Sequence, residues 1–389
     1  MSEPTSAETT GRYLVLLENN STAAGVRELD RVAGIQVATT TDTVAEQIAG
    51  ADGVIFHELG IALVDASPDQ LPGLNRAVDE PGPVLAVEAE RIVHAITATD
   101  AATGTATVDE SVFTWGLQAV GANLSTATGK GVRVAVLDTG FTVAHPDFAG
   151  RTVTTSSFVT GETVDDAHGH GTHCIGSSCG PRKPATGPGY GVAYEAEIFA
   201  GKVLGNSGSG SDGGILAGIE WAIANGCAVI SMSLGATIRP GTPYSAIFEQ
   251  AASRALAKGT LIIAAAGNDS RRPGAVAPVG HPANCPSIMA VGAVDVQRAM
   301  GFFSCGTVDT IGAVDVVAPG VDVYSSWNVG GTKRLQGTSM ATPHVAGVAA
   351  LMAEKHGARG FELWARLSQT ARRLPLPSTD VGAGLVQAP

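Results

Sequence analysis

From Val132 onward, short and almost wholly apolar runs alternate with stretches of helical character, and this alternation restricts the fold more than any other feature. Val132–Leu137, Glu197–Leu204, Cys227–Leu234 and Leu261–Ala266 read as strands. Gly214–Ala224 and Tyr244–Ala257 read as helices, the first closed by Asn225-Gly226 and the second by Gly259. Strands that are apolar along their whole length must be covered on both faces. The order therefore predicts an α/β fold, a mostly parallel sheet with helices on both faces. Ligands of such sheets bind beyond the carboxyl ends of the strands. Three of the runs end in polar signatures that should converge there: Asp138-Thr139-Gly140, Ser233-Leu234-Gly235 and Gly267-Asn268.

A different pattern precedes this body. Tyr13–Leu17 reads as a strand, Thr22–Ala33 as a helix, Gly53–Phe56 and Gly60–Val64 as strands, Pro68–Val78 as a helix and Val84–Val87 as a strand. This β-α-β-β-α-β order is that of a small ferredoxin-like α+β domain, a fold that hosts many functions. The predicted organisation is a disordered N-terminus over 1–11, the ferredoxin-like domain over 12–96, a linker over 97–113 and the main domain over 114–389. The linker contains TATDAATGTATV, small, polar and open to proteolysis.

Charge divides the chain in the same place. Residues 1–110 carry 18 Asp/Glu against 5 Arg, whereas residues 111–389 carry 18 acidic against 19 basic side chains. An acidic unit on a near-neutral body suggests separate roles, and it argues against a nucleic-acid partner. No stretch is apolar enough over about 18 residues to span a membrane. The N-terminal MSEPTSAETTGR lacks the basic and apolar regions of a signal peptide, so the chain as given is expected to be cytoplasmic. An extracellular location is expected if a leader precedes it or export is non-classical. Cys174, Cys179, Cys227, Cys285 and Cys305 leave at least one free thiol and form no CxxC metal site, with Cys285 and Cys305 a candidate pair.

The candidate chemistry lies in three places. Gly337-Thr338-Ser339-Met340-Ala341-Thr342-Pro343 opens a long small-residue run, so Ser339 is expected at the first turn of a buried helix, where unpaired N–H groups face a reacting group. Pro343 is compatible with that first turn. Asp138 directly follows a buried strand; such a residue can also cap a turn. Asp166-Ala167-His168-Gly169-His170-Gly171-Thr172-His173 clusters three histidines, which raises a metal alternative, but the spacing is not that of HExxH. Asp, then His, then Ser is one of the chain orders of serine hydrolase triads. A serine needs a base near neutral pH, and a carboxylate fixes the imidazole. Asn268 offers an amide donor to a developing oxyanion.

These segments resemble the subtilisin family of serine proteases (subtilases, peptidase family S8). The matching stretches are Val136–Gly140, His170–His173, Ala265–Asn268 and Gly337–Gly347, within a similarity running from about Thr114 to a terminal Val381–Ala388, so no further C-terminal domain is expected. The resemblance implies a serine endopeptidase with Asp138, His170 and Ser339 catalytic and Asn268 in the oxyanion hole. It implies that Ser233, Leu234 and Gly235 pair with an extended substrate backbone. Ala265, Ala266 and Gly267 would wall the S1 pocket, with Gly280 at its base. His168 is then a loop residue, and His173 and His344 are structural. Cys174 follows the HGTH motif as in the proteinase K-like branch, which implies a buried thiol near the base and sensitivity to mercurials.

The N-terminal domain resembles the inhibitory propeptide of such enzymes, with Leu85–Ala95 like its end. It would act as an intramolecular inhibitor until cut near Ile96 or in the linker. Polypeptide substrates, a monomer and no required cofactor are expected. Structural calcium is not supported at the family's usual site: Asp147 matches one ligand, but Pro181–Gly191 lacks the Asn-rich pattern of the completing loop. Two alternatives differ in outcome: a transpeptidase or macrocyclase on the same fold, and a catalytically silent binding module.

Overall fold

The computed structural model describes residues 8–19, 21–37, 52–96, 99–100 and 108–389; most of the predicted linker and residues 1–7 lie outside that set. The N-terminal unit comprises β1 (Thr9–Leu17), α1 (Thr22–Ala33), β2 (Gly53–Phe56), β3 (Ile61–Asp65), α2 (Leu71–Asp79) and β4 (Val84–Ala95). Its strands lie in the order β4-β1-β3-β2 with antiparallel neighbours.

Its boundaries differ from the sequence reading in physically informative ways. β1 begins at Thr9, inside the stretch predicted to be disordered, because Thr10 and Arg12 both bind the fully buried Glu90 carboxylate. α2 starts at Leu71 rather than Pro68, with Pro72 in its first turn, where a missing N–H costs nothing. β4 runs on to Ala95 rather than stopping at Val87.

The chain continues through β5 (Thr99–Asp100), α3 (Trp115–Ala119), β6 (Arg133–Asp138), β7 (Val153–Ser157), α4 (His170–Cys179), β8 (Glu197–Lys202), β9 (Ser209–Ser211), α5 (Asp212–Ala224), β10 (Val229–Met232) and β11 (Leu234–Gly235). It ends with α6 (Ala246–Ala257), β12 (Leu261–Ala265), β13 (Met289–Val294), β14 (Val316–Pro319), the hairpin β15 (Val323–Trp327) and β16 (Gly331–Gln336), then α7 (Thr338–His356), α8 (Gly360–Thr370) and the short α9 (Ser378–Val381). Among the described residues a parallel sheet runs β14-β13-β12-β10-β6-β8-β7. From β6 the chain passes to the edge strand β7, comes back to β8 between those two, and then crosses to β10 on the other side of β6. That reversal is the crevice at which α/β sheets bind ligands.

The two units share one core. Side chains alternate across a strand, so Leu14 and Leu16 of β1, with Val54, Phe56, Ile61 and Leu63, face the main body and join its buried cluster. Val15, Leu17, Ile55, Ala62 and Val64 face the other way and pack with Leu29 of α1 and Leu74 of α2. The N-terminal sheet is thus buried on both faces, which explains the unbroken apolar run Leu14–Leu17.

All five cysteines are free and buried, so the candidate Cys285–Cys305 pair is not formed. No helix among the described residues is long and apolar enough to cross a membrane.

Candidate active site

Asp138 ends β6, wholly buried, and its Oδ1 lies 2.7 Å from His170 Nδ1. His170 opens α4, which sits directly on the turn after β6: a Cβ added to Gly171 would stand 2.3 Å from the Gly140 carbonyl oxygen. Gly169, at φ +98°, turns the chain into that helix in a conformation L side chains rarely adopt.

Asp166 holds the turn from below. Its Oδ1 accepts from Thr139 Oγ1 and from the amides of His168 and Gly169; its Oδ2 accepts from the amide and hydroxyl of Thr172. A buried carboxylate at a helix N-terminus satisfies the orphan amides and suits the helix dipole. The sequence alone gives Asp166 no role. The available signal was an acidic residue three positions ahead of the Gly169 turn.

Burial opposes a charge on His170, but the Asp138 carboxylate, with a further contribution from the Cys174 sulfur, outweighs it through charge and hydrogen bond, raising His170 well above the usual range. Its neighbours behave differently. His173 directs Nε2 at the carbonyls of Val323 and Lys333, and burial lowers it to about 3. His344 Nδ1 lies 2.8 Å from the Met340 carbonyl, and burial lowers it to about 4. Both are packing residues, as expected. His168 lies beside the crevice with Ala95, Gly208 and Trp327.

Ser339 is the second residue of α7. Pro343 falls within the second turn rather than the first, and its missing N–H frees the Ser339 carbonyl from the helix ladder. That oxygen accepts instead from Ser233 Oγ at 2.9 Å and Cys174 Sγ at 3.5 Å. The Ser339 hydroxyl donates to the Ile96 carbonyl at 2.8 Å, and His170 Nε2 has no hydrogen-bond partner among the described residues. Asn268 Oδ1 accepts from the amide and hydroxyl of Thr338, both at 2.9 Å, which fixes which way the carboxamide nitrogen points.

The end of β4 occupies the crevice as an inserted strand. Leu234 and Gly235 pair antiparallel with Ala95 and His94, and the Ile96 amide donates to the Ser233 carbonyl. On the other side β9 pairs with Ile92–His94, and Gly208 accepts from the Ala95 amide. The Ser233–Gly235 edge is the one that the family resemblance points to; the Gly/Ser composition of the second carries no strand signal.

Beside Ile96 lies a cavity of about 630 Å³ whose lining includes Gly235, Gly267, Asn268 and Gly280. Ala265 and Ala266 do not line it. Ala266 acts through its carbonyl, which accepts from the Gly280 amide, and Ala265 is buried in β12.

The N-terminal unit is also held by charge. Glu88 accepts from Ser245 Oγ and the Ala246 amide at the start of α6, and Glu90 accepts from the Gly213 amide at the start of α5. Glu220, on α5, in turn accepts from the amides of Glu58 and Leu59.

Metal chemistry finds little support in the residues present. Asp147 Oδ2 accepts from the buried Tyr190 hydroxyl at 2.7 Å, and Arg182 brings a cation into the same loop region, stacked over Phe113. One carboxylate so engaged does not fit a calcium shell of six to eight oxygens. Asp138, His170 and Cys174 are compact enough for a metal, with ligand atoms within 4.8 Å. The first two are hydrogen-bonded to each other, and burial keeps the thiol protonated.

The Subtilase family profile matches residues 129–384. Subtilisin DY of Bacillus licheniformis is 42% identical over 261 residues, 66% of this chain and 89% of its own length. Subtilisin Savinase of Lederbergia lenta is 42% identical over 281 residues, 70% of this chain and 96% of its own. The cuticle-degrading protease of Metarhizium anisopliae is 39% identical over 239 residues, 59% of this chain and 56% of its own. The chain belongs to the subtilase family and is a subtilisin-like serine endopeptidase.

Proposed function

We propose that Asp138, His170 and Ser339 form the catalytic triad and that residues 12–96 are a propeptide, cut from the enzyme at Ile96–Thr97 by the enzyme itself. The observation that carries this is the Ser339 hydroxyl on the Ile96 carbonyl, at the end of a strand paired on both edges like a bound peptide. Ser339 Oγ attacks the Ile96 carbonyl carbon as His170 Nε2 takes its proton, and Asp138 holds the imidazolium through Nδ1. The oxyanion is stabilised by the Asn268 carboxamide and the Ser339 amide, which has no intrahelical acceptor at that position. Collapse leaves Ile96 esterified to Ser339 while the Thr97 amine departs with the proton from His170. Water, activated by the same imidazole, completes hydrolysis. No cofactor is needed for these steps.

The freed domain then remains as a product inhibitor, held by Glu88, Glu90 and the shared apolar face. An enzyme kept shut in this way suits release outside the cell. Hydrolysis of a peptide reporter by wild type and by Ser339→Ala tests the mechanism. Loss of several orders of magnitude in rate is expected; retained hydrolysis would contradict it.

A further inference from the structure

Beneath the inserted strand, Asp212 and His281 bridge the two walls of the crevice. Asp212, the first residue of α5, is fully buried, and its Oδ1 lies 2.9 Å from His281 Nε2. His281 follows Gly280, exchanges backbone hydrogen bonds with Ala236 just past β11, and packs edge-on against Phe248. The second carboxylate oxygen of Asp212 faces the strand. It accepts from the Arg91 amide at 3.2 Å and from the Arg91 guanidinium at 3.4 Å. Arg91 lies five residues before Ile96, so this contact is far from the reacting bond but in register with it.

We infer that Asp212 forms a subsite for a basic side chain at the sixth residue on the amino side of the cleaved bond. This rests on the proposed cut at Ile96–Thr97, which sets the register. In the intact chain Arg91 divides its charge between Asp212 and Glu88 of its own strand. Glu88 departs with the N-terminal domain, whereas Asp212 stays, pinned by His281. An incoming polypeptide with Arg or Lys at that position therefore meets a buried carboxylate that offers one oxygen to its backbone and side chain. An acidic residue there meets a like charge. The guanidinium is part-exposed, so the preference is moderate and sensitive to salt.

The test uses the processed enzyme separated from its N-terminal domain, and peptides sharing Ile-Val-His-Ala-Ile-Thr, preceded by Arg, Lys, Ala or Glu, with the cut located by mass spectrometry. At low salt, kcat/KM for the Arg peptide should exceed that for Ala by roughly three- to tenfold, and Glu should fall below Ala. In about 1 M NaCl the Arg-to-Ala ratio should approach one. Asp212→Asn should bring that ratio near one at low salt; if that variant does not fold, the salt series on wild type decides alone. Cleavage after Ile with equal rates for Arg, Ala and Glu overturns the subsite but leaves the cut intact. Failure to cut any peptide overturns both.

Discussion

Ile96 presents its carbonyl oxygen to the Ser339 hydroxyl at 2.8 Å across 243 residues of sequence. Fold and site meet in that contact. The parallel sheet brings Asp138, Ser233 and Asn268 to one edge, α7 delivers Ser339 there, and the N-terminal domain feeds its last strand between β9 and β11. The serine hydroxyl faces a peptide carbonyl, and His170 Nε2 has no hydrogen-bond partner among the described residues; in the proposed mechanism it takes the proton that attack releases.

The pH profile should follow His170. Asp138 raises it above the 6.5 of an unperturbed histidine, and the imidazolium cannot act as base. kcat/KM for a peptide reporter should therefore be low in acid and rise through a single ionisation above that value. Removal of the N-terminal domain hydrates the ring and relieves the opposing burial, which preserves the direction. Asp138→Asn should lower kcat by about 10⁴ and shift the ionisation downward. An unshifted profile would show that the titrating group is not His170.

Asn268→Ala should reduce kcat by roughly 10² to 10³ with little change in KM, the loss known for the matching donor in a subtilisin. Steady-state kinetics on one peptide separates the two parameters. A rise in KM at constant kcat would instead assign Asn268 to ground-state binding.

Cys174 Sγ lies 3.9 Å from His170 Nδ1 and points to the Ser339 carbonyl, so a metal atom on that sulfur would displace the His170 ring and the backbone of Ser339. Burial pushes the thiol up, which keeps it unreactive toward ordinary alkylating agents. Stoichiometric mercurial should inactivate wild type but not Cys174→Ala, while iodoacetamide should affect neither. Inactivation of Cys174→Ala would place the target at another cysteine.

Asp166→Asn keeps one acceptor oxygen where the carboxylate has two, and leaves orphan donors at the start of α4. A loss of about 1–3 kcal/mol in urea unfolding is expected, measured in a Ser339→Ala background to prevent self-digestion. Unchanged stability would mean that water replaces the lost acceptor.

Much of this was legible in the sequence, for identifiable reasons. β6, β10 and β12 are buried on both faces, so their apolar runs stand out, and the polar residues ending them mark the crevice. The helix Thr22–Ala33 and the strand Gly53–Phe56 emerge with their predicted bounds. What was missed is held by distant partners. β7, VTTSS, is a half-exposed edge strand, and β9, SGS, owes its strand form to pairing with β4. Thr99–Asp100, read as linker, pairs with Leu335 and Gln336 of β16. Glu88, Glu90, Asp166 and Asp212 read as ordinary acidic residues, since the groups each one satisfies lie in other elements or become orphaned only once a helix forms.

The most direct test is the intact mass of freshly purified wild type beside Ser339→Ala. Only wild type should separate into two species, with a new carboxyl terminus at Ile96 and a new amino terminus at Thr97, while Ser339→Ala stays whole. Cleavage of both proteins at that bond, or of neither, would contradict it.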